Sequence, residues 1–120
     1  MKVAFTTSGH HLDAPLDSRF GRAPLFLVYD LDDDTYQIVD NKQNLNATQG
    51  AGIQAAQAIA KTGAKAVITG HCGPKAFRVL TAAGIKIFNT EAQTIAEALA
   101  KYRADALNKA VTANTESHWI

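Results

Sequence analysis

Covalent and metal staples are nearly absent from this sequence. Its one cysteine, Cys72, excludes an internal disulfide, and neither a Cys-x-x-Cys nor a His-x-x-x-His pair demands a structural metal. A reducing cytoplasm is the simplest compartment for a chain with a lone thiol. No apolar run approaches the length that crosses a bilayer. Met1-Lys2-Val3-Ala4-Phe5 leads straight into a strand-like segment rather than a long apolar stretch with a cleavage site, so the expectation is a chain that is not exported. An excess of one charge is missing too. Lys and Arg number 12 against 11 Asp and Glu, and the net charge of +1 is no basis for non-specific binding to nucleic acid or membrane.

What is present is the make-up of one soluble globule. With 47% hydrophobic and 19% charged residues, 120 residues are enough to bury a core without a staple. The densest signal is Ala66-Val67-Ile68-Thr69-Gly70-His71-Cys72-Gly73-Pro74-Lys75-Ala76-Phe77-Arg78. Ala66 to Thr69 has the apolar, β-branched character of a strand covered on both faces, and Gly70 ends it. Pro74 suits the first position of a helix whose inward stripe is Ala76, Phe77 and Leu80. Such a loop turns backbone N–H groups and the positive helix end toward the strand tips, which makes it a ready anion site.

In chain order, Lys2 to Thr7 reads as the first strand. Ser8 to Pro24 is a long irregular loop, the kind that more often serves a function than a mere connection. Leu25–Leu31 and Thr35–Asp40 form a hairpin with an acidic tip at Asp32-Asp33-Asp34, which lacks the spaced oxygen ligands of a calcium loop. A helix is predicted from about Gly52 to Thr62, with Ile53, Ala56, Ile59 and Ala60 inward and Gly63 as its left-handed stop. After the central strand, loop and helix come a strand at Ile85–Phe88 and a last helix capped by Thr90, with Gln93 three residues on. We place one α/β domain over residues 1–107 and a C-terminal tail over 108–120, whose Trp119-Ile120 docks on the body or on a neighbouring subunit or remains loose. The order of elements implies a mixed sheet with helices on both faces. If the first and fourth strands are neighbours, the loops Ser8–Pro24 and Gly70–Gly73 meet at one carboxyl edge, the default binding crevice.

Four chemistries compete for that crevice. His71-Cys72, with Arg78 six residues after the cysteine, matches the spacing of a cysteine-dependent phosphatase loop, but Pro74 starts the helix early and Val79 stands where a hydroxyl residue belongs. Nucleotide binding is disfavoured, because Gly70–Lys75 lacks Walker spacing and no Gly-x-Gly-x-x-Gly follows the first strand. A two-metal nuclease wants carboxylates on central strands, and the first and fourth carry none. The remaining chemistry is a metal cluster. Cys72 supplies a soft thiolate, with a pKa that a helix N-terminus would lower, and His10, His11 and His71 supply imidazoles from converging loops. One thiolate cannot hold an iron–sulfur cluster, so a cluster bound here must bring its own sulfide shell as a polyanion or share ligands with a partner.

Several stretches together resemble a known family: Met1–Phe5, Arg19-Phe20-Gly21-Arg22-Ala23-Pro24-Leu25-Phe26, Asn44 to Ala56, Ile68-Thr69-Gly70, Gly73-Pro74-Lys75-Ala76-Phe77 and Ala83-Gly84-Ile85-Lys86. They look like the dinitrogenase iron–molybdenum cofactor biosynthesis domain. The resemblance implies a ribonuclease-H-like, three-layer α/β/α fold with a mixed five-stranded sheet, no hydrolytic activity, and binding or carriage of metal–sulfur clusters or their precursors. Its relatives include small orange proteins of sulfate-reducing bacteria, which hold a molybdenum–copper sulfide cluster non-covalently, and this chain's size suits that branch. The expected cargo is such a cluster or a related Mo/Fe–S cluster, with a protein partner for delivery and no nucleic acid or membrane. The expected cofactor-binding residues are Arg19, Phe20, Arg22, Gly70, Gly73, Lys75 and Phe77. Cys72, His71, His10 and His11 are the expected metal ligands, on their chemistry and not on the family motif. The alternatives are the phosphatase using Cys72 and Arg78 and a metal-free regulatory module.

Overall fold

The computed structural model describes residues 1–42 and 50–110. Among them six strands form one sheet: β1 (Lys2–Thr7), β2 (Leu25–Asp30), β3 (Thr35–Asp40), β4 (Ala66–Thr69), β5 (Lys86–Asn89) and β6 (Asn108–Lys109), in the order β3-β2-β1-β4-β5-β6. The helices are α1 (Ala51–Lys61), α2 (Pro74–Ala82) and α3 (Ile95–Arg103). β1 pairs in parallel with β4, and β4 with β5, while β2 and β6 run antiparallel to their neighbours. The sheet is mixed, and β1 and β4 lie side by side at its centre, which meets the condition set on sequence grounds.

The period of two along the strands divides the core between the two faces. Ala4, Phe26, Val28 and Val67 pack with Ala55, Ala56 and Ile59 of α1 and Ala76 and Leu80 of α2. Val3, Phe5, Leu27, Tyr29, Ala66 and Ile68 pack with Ile95, Ala98 and Leu99 of α3. β4 is buried along its whole length because helices cover it from both sides. The alanines of α1 bring its axis close to the sheet, and Gly63 ends it at φ 83°. Ala60, expected inward, is exposed, and Ala55 takes the inward place.

Two further expectations shift. The sheet has a sixth strand, because Asn108 and Lys109, assigned to the tail on sequence grounds, pair with Asn89 and Phe88, and Ala110 N–H donates to Ile87 O at 2.7 Å. The last helix begins at Ile95: Thr94, not Thr90, caps it by accepting from Glu97 N, and the Glu97 carboxylate reaches back to Gln93 N. Thr90 instead accepts from Ala92 N in a local turn. The acidic hairpin tip is exposed, as expected, and also carries two surface ion pairs, Asp32 with the Met1 amine at 2.6 Å and Asp34 with Arg103 at 2.8 Å. The expected stretch Asn44 to Gln49 and the closing Trp119-Ile120 lie outside the described residues.

Candidate functional site

The carboxyl ends of β1 and β4 carry a buried threonine each, Thr6 and Thr69, whose hydroxyls share a 2.9 Å hydrogen bond. Thr6 also donates to Asp17 O at 2.7 Å, and Thr7 donates to Pro15 O at 2.8 Å, so the strand ends themselves hold the long loop down. Beyond them the two loops join. Phe20 N–H donates to His71 O at 3.0 Å within a parallel bridge between Arg19 and His71. Gly70 permits the approach, since a Cβ there would meet Ser18 O at 2.7 Å and Ser18 Cα at 2.8 Å.

Two helix starts complete this rim. A Cβ on Gly21 would lie 3.1 Å from Gly52 Cα, and one on Gly52 would lie 3.3 Å from Ala76 Cβ. The 19–22 loop therefore rests on the first turn of α1, which rests on the first turn of α2. Both helices begin at glycines, Gly50 and Gly73, with no side-chain cap and no acid in the first turn, unlike α3. Their amide ends add positive potential to the same rim.

The expected residues fall into groups. Arg19, Arg22 and Lys75 are exposed around the rim, and among the described residues none makes an ion pair. Phe20 is buried, with its ring centroid 5.5 Å from that of Phe26, so it anchors the loop from beneath while half-buried Phe77 lies nearer the surface. Gly70 and Gly73 stand at the two ends of the loop that holds His71 and Cys72. Cys72 is buried, its thiol 3.7 Å from Gly73 O, and loss of solvent pushes its pKa from 9.0 to about 12. The lowered pKa expected from the helix start is thus overturned, because burial in the α1/α2 core outweighs it.

The four metal candidates do not converge. His11 sits with Nδ1 3.5 Å from the Tyr36 hydroxyl, and Tyr36 stacks on Tyr29, which belongs to the α3 face. The reason is the loop's anchorage. Leu16 N donates to Gln93 O, and Ile95 N and Ala96 N donate to Ala14 O and Leu12 O, which pins residues 12–16 to the start of α3. Cys72 lies on the other face of the sheet. His10 is exposed, and among the described residues no group of three or more His, Cys, Asp or Glu side chains is placed to hold a metal ion. The phosphatase arrangement is poorly served by this geometry: Cys72 is buried, and Arg78 lies in the second turn of α2 rather than at the closing end of a phosphate loop.

Sequence reasoning missed Asn41. It is fully buried at the end of β3, where its side chain donates to Ala23 O at 2.8 Å and its N–H to Pro24 O at 2.8 Å, fixing the exit of the arginine loop. The only signal in the sequence was a polar residue directly after a strand.

The model of the family described as dinitrogenase iron–molybdenum cofactor matches residues 1–105. The apo orange protein of Desulfovibrio gigas superposes with a TM-score of 0.92 at 40% identity, over 95% of this chain and 96% of that one. A Thermotoga protein described as belonging to the DUF35 family has a TM-score of 0.85 at 28% identity, over 97% and 98% of the two chains. An uncharacterised protein of Methanocaldococcus jannaschii is 27% identical over 91% of each chain.

Proposed function

Because the chain belongs to the dinitrogenase iron–molybdenum cofactor family, we propose that it binds, without catalysis, an anionic metal–sulfur cluster at the carboxyl rim of β1 and β4. The cargo is a molybdenum sulfide polyanion, in its fullest form a molybdenum–copper sulfide cluster, to be handed to a protein partner. The ribonuclease-H-like, three-layer assignment belongs to the same reading.

One observation carries it: an arginine loop and two uncapped helix starts rest on one another at a single rim. A sulfide-shelled dianion has diffuse charge and few strong acceptors. It is suited to a surface of amides and cations rather than to a cage of imidazoles. Arg19, Arg22 and Lys75 neutralise it, the amides at Gly73 and beyond contact it, and Phe77 gives apolar cover. Phe20 acts from below by holding the loop, and Gly70 by letting the loops meet. Cys72 and His71 stand on that loop as auxiliary ligands, the thiol being suited to copper(I). Since the Cys72 thiol is protonated in the free protein, its coordination releases a proton and uptake by that route rises with pH. His10 and His11, expected as further ligands, take no part in this arrangement.

The test is reconstitution. Protein free of metal, offered tetrathiomolybdate and copper(I), takes up both in fixed ratio and gains a visible charge-transfer spectrum that survives gel filtration. A protein that emerges colourless and metal-free refutes the reading and leaves the metal-free regulatory module; turnover of an aryl phosphate, lost in Cys72→Ser, refutes it in favour of the phosphatase.

A further inference from the structure

At the opposite rim, where the parallel strands begin, three lysines stand at or just before the starts of adjacent strands. Lys65 N–H donates to Lys2 O at 2.9 Å, and Lys86 N–H donates to Lys65 O at 3.0 Å. Like charges on neighbouring strands disfavour each other. The Lys2 ammonium reaches the Thr62 carbonyl at 3.5 Å. Lys65 and Lys86 have no such outlet: among the described residues neither side chain forms an ion pair.

Both lysines line a cleft of about 750 Å³ whose apolar wall is Leu31, Phe88, Tyr102 and Leu107. Phe88 and Tyr102 meet edge to face at 5.3 Å and 83°, which makes that wall a firm aromatic surface. Arg103 and the Met1 amine also reach the cleft but are committed to Asp34 and Asp32. Asp105 is the one acid in the lining, so the two lysines leave one positive charge in excess.

We propose that this cleft is a second binding site, for a small amphipathic anion. Its carboxylate, sulfonate or phosphate head lies between Lys65 and Lys86, and its apolar body of one or two rings lies against Phe88 and Tyr102. The volume falls in the range of small-ligand sites, roughly 300–1,000 Å³, and the pairing of an apolar wall with a few convergent charges is what such ligands need. The site sits at the far end of the same strands from the cluster rim and does not depend on the cluster reading.

The full chain, labelled with nitrogen-15, is titrated with anilinonaphthalene sulfonate at low salt, with sulfate and a neutral naphthalene alcohol as separate arms. Saturable binding is expected, with amide shifts centred on Lys65, Lys86, Phe88 and Leu107. Sulfate and the neutral alcohol should each bind at least about tenfold more weakly, because each lacks half of the recognition. The Lys65→Glu/Lys86→Glu variant should lose about tenfold in affinity at an unchanged melting temperature; if it fails to fold, the Gln pair replaces it and should lose severalfold. Shifts centred on residues 19–22 and 73–77, unchanged affinity in the folded variant, or sulfate binding as tightly as the sulfonated ring would each overturn the proposal.

Discussion

Phe20 donates its backbone N–H to the carbonyl of His71 at 3.0 Å, so two loops separated by half the chain form one short piece of parallel ladder beyond the sheet. That bond fixes where the arginines stand relative to Cys72. It depends on Gly70, whose missing side chain leaves room for the Ser18 backbone.

Gly70→Ala should therefore part the loops. The new methyl meets backbone, which cannot swing aside as a side chain would, and the expected loss is about 1–3 kcal/mol in urea unfolding. Reconstitution should fall with it, by more than the stability loss alone accounts for, since the rim is displaced. Unchanged stability and uptake would show that the approach of Ser18 relaxes freely.

The Cys72 thiol makes stability depend on alkaline pH. Its folded pKa, about 12, lies above its ordinary value of 9.0, so the folded protein holds this proton where the unfolded chain has released it. The contribution is complete below about pH 9 and is lost as pH rises toward 12, up to about 4 kcal/mol in all. Lysines and tyrosines titrate in the same window, so the readout is a difference. Wild type should lose more stability than Cys72→Ala between these limits, and parallel curves would contradict the burial account.

Charge and ligation can be separated at the rim. Arg19→Gln, Arg22→Gln and Lys75→Gln should each weaken uptake of tetrathiomolybdate about threefold to tenfold, with an affinity that falls as salt is added, because these side chains are exposed and screened. His10→Ala and His11→Ala should leave metal uptake unchanged. Cys72→Ser decides the mode of binding: unchanged uptake assigns the cargo to amides and cations, whereas loss of copper with molybdenum retained makes the thiol a copper ligand.

The start of α3 offers a cleaner test of local structure. Thr94→Ala removes the oxygen that accepts from Glu97 N and should cost about 1 kcal/mol in urea unfolding. Thr90→Ala removes only a local turn contact to Ala92 N and should cost less. Equal losses would mean that the two threonines share the cap.

Both threonines satisfy the same sequence rule, which is why the wrong one was legible. Thr90 has Gln93 three residues on and Thr94 has Glu97, and nothing local chooses between them. The choice comes from the long loop: Pro15 bridges to Thr94 and Leu16 N bonds to Gln93 O, which keeps residues 90–93 out of the helix. The histidines show the same limit. Their chemistry was readable, but whether a loop folds over one face of the sheet or the other depends on partners far away in the chain.

Strands β1 to β5, helices α1 and α2 and the junction at Gly70 to Pro74 were set by short-range physics: alternation of apolar side chains, a glycine to end a strand and a proline to begin a helix. The placement of β1 beside β4 was only a condition of the sequence reading; their parallel pairing meets it, and with it the two loops meet at one rim. Burial was not local. Whether Cys72 is an exposed nucleophile or a protonated core thiol, whether Asn41 is a solvated polar residue or the clamp on Ala23, and which face receives His11 were decided by tertiary packing alone, because solvent exclusion at a side chain is a property of everything that surrounds it.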